Sequence, residues 1–92
     1  MNKKIEQEKL SIYEVEEFHK ELVLLCDKAE DSLTLDFKSV EKVDMTAIQL
    51  LLSAQKSFEK KSLEMFLRNV SPEIVETFAV AGCETLLKVQ ND

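Results

Sequence analysis

Residues 43–52 read VDMTAIQLLL. An apolar residue is followed by an acid, and from Thr46 onward the apolar positions take up a helical rhythm. Ile48, Leu51, Leu52, Gln55 and Phe58 gather on one side at 3.6 residues per turn. A helix is therefore expected over 46–60. It ends in Lys60 and Lys61, cations that suit the negative end of a helix dipole. Asp44 stands just outside its start. A carboxylate there accepts an orphan backbone N–H and meets the positive end of the dipole, a contribution of about 1 kcal/mol. The junction is either only a cap or a cap that also shapes a surface.

Upstream, Leu33, Leu35 and Phe37 alternate with Thr34 and Asp36, so 33–37 reads as a strand, and 38–42 as a loop. Before it, Ser11 and Glu14 have capping-box spacing. Val15, Phe18, Leu22 and Leu25 then make one stripe, which implies a helix over 11–29. Residues 1–10 offer Ile5 and Leu10 as anchors and read as a weak edge strand or an arm.

Downstream, 63–67 (LEMFL) is a second strand, and apolar Phe66 suggests burial on both faces. Ser71 and Pro72 mark a third helix, as N-cap and first helical residue. Ile74, Phe78 and Ala81 form its inner stripe. Gly82, the only glycine, suits a left-handed helix terminus. A last short element is expected over 84–89, returning Leu86, Leu87 and Val89 to the core. Helices alternating with strands imply parallel crossover units, hence a single α/β domain over 1–92: a small mixed β-sheet with helices packed on it.

Composition narrows the function. The formal net charge is −6, which argues against nucleic acid and against anionic membrane surfaces, and favours a basic partner. No run approaches a membrane span, and the N-terminus lacks a signal-peptide core, so the expected location is the cytoplasm. Cys26 and Cys83 are far apart and read as buried thiols. His19 is the only histidine, so no metal-ligand cluster forms. One glycine cannot build a phosphate cradle, and no base accompanies a nucleophile. The reading is a chain without cofactor or metal, and not an enzyme.

VDMTAIQLLLSAQKSF, followed by LEMFLRNVSPEIVETFAVAGCETLL, resembles the signature half of the STAS family of sulphate transporters and anti-sigma factor antagonists. LSIYEVEEFHKEL is similar to the family's first helix. The resemblance spans roughly residues 10 to 90, with the N-terminal strands shortened. It implies a stand-alone bacterial regulatory module. The partner would be an anti-sigma kinase, a chemotaxis protein or the ATPase of a lipid transporter.

The same resemblance implies that the partner docks at the start of the second helix, on Asp44, Met45, Thr46, Ala47 and Gln49. In many members the residue after the aspartate is a phosphorylated Ser or Thr. Met45 occupies that position here and cannot accept phosphate, and Ala47 replaces the usual glycine. Thr46 is either a capping hydroxyl or a displaced phosphoacceptor. A phosphate there would add about −1.5 to −2 of charge beside Asp44 and Glu41. Met45 is either a gap-filling core residue or an exposed, adaptable contact. Two further features add to this reading. The run Leu50, Leu51 and Leu52 is wider than one stripe and offers a further exposed contact. A short N-terminal strand would leave a sheet edge open, favouring weak homodimerisation through residues 2–8.

Overall fold

The computed structural model describes residues 1–83 and 87–90. The elements run β1 (Asn2–Lys4), β2 (Lys9–Leu10), α1 (Val15–Lys28), β3 (Leu33–Asp36), β4 (Lys42–Val43), α2 (Met45–Lys60), β5 (Met65–Arg68), α3 (Pro72–Val80) and β6 (Lys88–Val89). One sheet has the order β1-β3-β5-β6, and β2 pairs with β4 in a second, two-stranded sheet. All ladders among the described residues are parallel, so the expected α/β class with crossover helices holds in its parallel form.

The strand order rises in one direction. Right-handed crossovers then place all three helices on one face. Burial agrees: Leu33, Leu35, Met65 and Leu67 are sealed, whereas Thr34 and Phe66 are half-buried and Arg68 is exposed. Phe66 is thus not buried on both faces; Lys88 Nζ stands 6.0 Å from its ring centroid on the open side. Phe18, Phe37, Phe58 and Phe78 fill the core.

Residues 1–10 form two short strands rather than one strand or an arm. The two anchors explain it. Ile5 is buried and its N–H donates to the Asp36 carbonyl at 3.0 Å, and Leu10 is fully buried beside β4.

The first helix starts later than its capping-box spacing suggests. Ser11 and Glu14 do meet, but hydroxyl to carboxylate, and Glu14 makes no side-chain cap. The Ser11 carbonyl accepts the N–H groups of both Glu14 and Val15 at 3.0 Å, so 11–14 is a turn and the helix begins at Val15. Ile12 and Tyr13 are thereby left outside it.

The other two helix ends follow their sequence signals. Ser71 Oγ accepts the N–H of Ile74 with Pro72 in the first turn. Gly82 has φ +75, the left-handed region where a Cβ is strained. The Gly82 and Cys83 N–H groups donate back to Ala79 and Phe78. Ser62 (φ 59) closes α2 with the same bond pattern, Ser62 to Glu59 and Leu63 to Phe58. Lys61 does more than complement its own helix: Nζ donates to the carbonyls of Cys26, Asp27 and Ala29, capping the C-terminal end of α1.

Of the leucine run, Leu51 is fully buried, and Leu50 and Leu52 are partly buried against the core. None is fully exposed; Leu50 lines the cleft between α1 and α2. The last expected element is present as β6 with Leu87 buried, while residues 84–86, Leu86 among them, lie outside the described residues.

Gln55 is the one polar member of the α2 stripe. It is 3% exposed, and neither its Oε1 nor its Nε2 has a hydrogen-bond partner among the described residues. A buried, unpaired amide costs about 1–3 kcal/mol. Gln55→Leu, similar in size, is expected to raise the thermal midpoint by roughly 4–8 °C for each kcal/mol recovered. Calorimetry of the two proteins checks this; an unchanged or lower midpoint would show that the amide is satisfied.

Candidate functional site

β2 and β4 are only two residues each, but they are parallel and in register, Lys9 with Lys42 and Leu10 with Val43. Each runs directly into a helix start: β2 through the 11–14 turn into α1, β4 through Asp44 into α2. Two helix N-termini are thus delivered side by side at the carboxyl ends of parallel strands.

Asp44 ties them together. Its backbone is extended (φ −116), as an N-cap requires, and Oδ1 accepts the N–H of Ala47 at 3.2 Å. Oδ2 accepts the N–H of Ile12 at 2.8 Å, from the other turn. Its own N–H donates to the Leu10 carbonyl at 3.2 Å, and its carbonyl accepts from Ile48 at 3.1 Å. The carboxylate therefore caps α2 and also pins the turn that precedes α1.

The five residues expected to form the surface divide. Met45 is 53% exposed and Gln49 is exposed. Asp44 and Thr46 are half-buried. Ala47 is fully buried and leaves the surface set: on the third residue of α2 its side chain turns into the core, while its N–H is spent on Asp44. The gap-filling reading of Met45 does not hold; it points out of the core.

Two neighbours escaped the sequence reading. Ile12 is 65% and Tyr13 90% exposed, and the Ile12–Asp44 bond holds them beside the α2 start. Tyr13 falls off the Val15–Phe18–Leu22–Leu25 stripe, which was a usable signal. Ile12 falls on the backward extension of that stripe, so only the late helix start exposes it. Glu14, Glu16 and Glu17 line a shallow surface together with Tyr13, with Glu16 held 3.7 Å from Lys20. The result is a small apolar patch with an acidic border.

Elsewhere the titratable groups offer little chemistry. The Cys26 thiol is pushed up from its ordinary value by burial and by the charge of Asp27, with Lys61 and a Ser57 hydrogen bond opposing. Such a thiol is a poor nucleophile. Cys26 is half-buried rather than fully buried; Cys83 is buried. His19 is exposed, and no metal-binding group of three His, Cys, Asp or Glu occurs among the described residues. Asp36 sits below the usual carboxylate range, because Asn69 Nδ2 and the Lys38 N–H both donate to it. No described helix is long and apolar enough to cross a membrane.

The aspartate junction followed by an amphipathic helix agrees with the resemblance, whereas the β2–β4 pair departs from the sequence reading of 38–42 as a loop. A family model described as "Mlab, STAS domain" matches residues 7–88. The chain belongs to the STAS family. This STAS domain also superposes, with a TM-score of 0.82, on a Thermotoga maritima protein whose crystal structure is described, provisionally, as an anti-sigma factor antagonist. The two are 16% identical, and the match covers 97% of this chain and 77% of the other. At that identity the likeness carries the fold. No curated protein matches the sequence.

Proposed function

We propose that this STAS domain is a non-enzymatic, cytoplasmic regulatory module that docks a protein partner at the paired starts of α1 and α2. One observation carries the reading. The Asp44 carboxylate is consumed by two backbone N–H groups, while Met45, Ile12, Tyr13 and Gln49 stand exposed around it. A flexible methionine and a tyrosine are suitable anchors for a protein surface. The acidic border of Glu14, Glu16 and Glu17 favours a basic rim on the partner.

The partner class we favour is an anti-sigma kinase, as in the resemblance, with docking that does not depend on phosphate at residue 45. Thr46 is the remaining hydroxyl in the first turn of α2 for a switch. Exposed Met45 also supports a second reading, a permanent accessory subunit of a lipid-transport ATPase, because a side chain without a hydroxyl suits an interface that is never released by phosphorylation.

Capture from native lysate tests these readings. Met45→Glu is expected to weaken partner retention tenfold or more, about 1.4 kcal/mol, without change in far-UV circular dichroism. Retention equal to the parent's, by both Met45→Glu and Tyr13→Ala, would sink the docking site. Mass spectrometry then names the class: a kinase, a chemotaxis protein (making the domain an adaptor) or an ATPase subunit. With a kinase in hand, labelled phosphate on the parent that is lost in Thr46→Ala assigns the switch to Thr46. Label gained only by Met45→Ser shows that the parent has none.

A further inference from the structure

The edge of the main sheet offers a second surface, away from the helix starts. β1 is an outer strand: β3 is its neighbour, and among the described residues none pairs on its other side. The Met1 carbonyl accepts from Thr34 at 2.8 Å, and the Ile5 N–H donates to Asp36 at 3.0 Å. Strand backbone alternates, so Met1, Lys3 and Ile5 face β3. Asn2 and Lys4 turn their N–H and C=O groups outward. An unpaired edge is a template for another strand.

The side chains along this edge limit what can pair with it. Lys3 is in register with buried Leu35 and so lies on the helix side, where it shares a groove with Met1, Glu21, Leu24, Leu25 and Lys28. Met1 is 50% and Leu24 54% exposed. The groove thus has an apolar floor with a glutamate and two lysines around it. That set is complementary to itself: under a two-fold rotation, Glu21 of one copy faces the lysine side of the other.

We infer that the β1 edge and the Met1–Leu24 groove form a two-fold interface with a second copy of this chain. The two β1 strands run antiparallel about Lys3. Asn2 of each copy exchanges both backbone hydrogen bonds with Lys4 of the other, four in all, and the main sheets join into one. Leu24 and Met1 of each copy cover those of its mate. Lys3 meets Lys3 across the axis, which weakens the pair, and Glu21 on each side offsets it. The association is therefore weak, and its concentration dependence is the signature.

Sedimentation equilibrium from about 10 μM to about 1 mM, a span reaching the millimolar affinities of weak pairs, is the test. The parent's average mass is expected to climb toward twice the monomer's. Asn2→Pro removes an outward N–H and leaves the bonds to β3 intact; Leu24→Glu alters an exposed residue. Each is expected to weaken association tenfold or more while circular dichroism stays that of the parent. Met45→Glu, at the other surface, should dimerise like the parent, so failure here leaves the docking proposal standing. A parent that remains monomeric to 1 mM, or dimers that survive both edge variants, would overturn the inference.

Discussion

Asp44→Ala is expected to lower stability by about 2–3 kcal/mol, the sum of a lost helix cap and a lost hydrogen bond to a charged acceptor. For a domain of this size the thermal midpoint should fall by roughly 10–20 °C. The cost exceeds that of an ordinary cap because one carboxylate serves two elements, the N–H of Ala47 in α2 and the N–H of Ile12 before α1. A double-mutant cycle separates the two. Ile12 is the second residue of the turn closed by the Glu14 N–H on the Ser11 carbonyl, a position where proline is favoured. Ile12→Pro deletes the donor that faces Asp44, and the side chain it replaces is exposed rather than part of the core. It should cost less in the Asp44→Ala background than in the parent, by about 1 kcal/mol or more. Additive effects would mean the cross-turn bond contributes nothing. Asp44→Asn keeps a capping oxygen and should lose about half as much as alanine, since asparagine is as good a cap. The Ala variant should also release the partner, because Ile12 and Tyr13 lose the bond that holds their turn beside Met45.

A larger loss is expected from Phe58→Ala, about 3–5 kcal/mol. Phe58 is fully buried in the last turn of α2, and its carbonyl accepts the N–H groups of Lys61 and Leu63 that close the helix. Truncation leaves a cavity at the place where α2 turns into β5. Domains of this size hold only about 5–15 kcal/mol in total, so the variant should be partly unfolded near 37 °C. Phe66→Ala is the control: its ring lies half-exposed on the helix-free face, and the cost should be under about 2 kcal/mol. Urea titrations of both variants decide it. Equal losses would mean the open face is covered in solution, and the placement of all three helices on one face of the sheet would fail.

The fates of particular residues show what the order of amino acids can and cannot specify. Helix starts at Ser71 and Asp44, the Gly82 terminus and the strand alternation over 33–37 were all legible, because each depends on neighbours within four positions. Capping, φ preference and period-two burial are local physics. The start of α1 was misplaced for a related reason. Ser11 and Glu14 had the right spacing, but their side chains bonded to each other and the backbone made a turn, an outcome in which Asp44, 32 positions beyond Ile12, takes part. Ala47 was likewise assigned to a surface by proximity to Asp44, when its helical phase against the sheet puts it inside.

The sequence by itself determined the class of fold, the alternation of helices and strands from α1 to α3 and the aspartate at the second helix start, since these follow from short-range pattern. Only the tertiary structure decided that Asp44 bridges two helix starts, that Ile12 and Tyr13 join Met45 in one patch, and that residues 1–10 split into β1 beside β3 and β2 beside β4. Those facts depend on which strands pair across 30 or more residues, and strand pairing is fixed by the whole core rather than by any one segment.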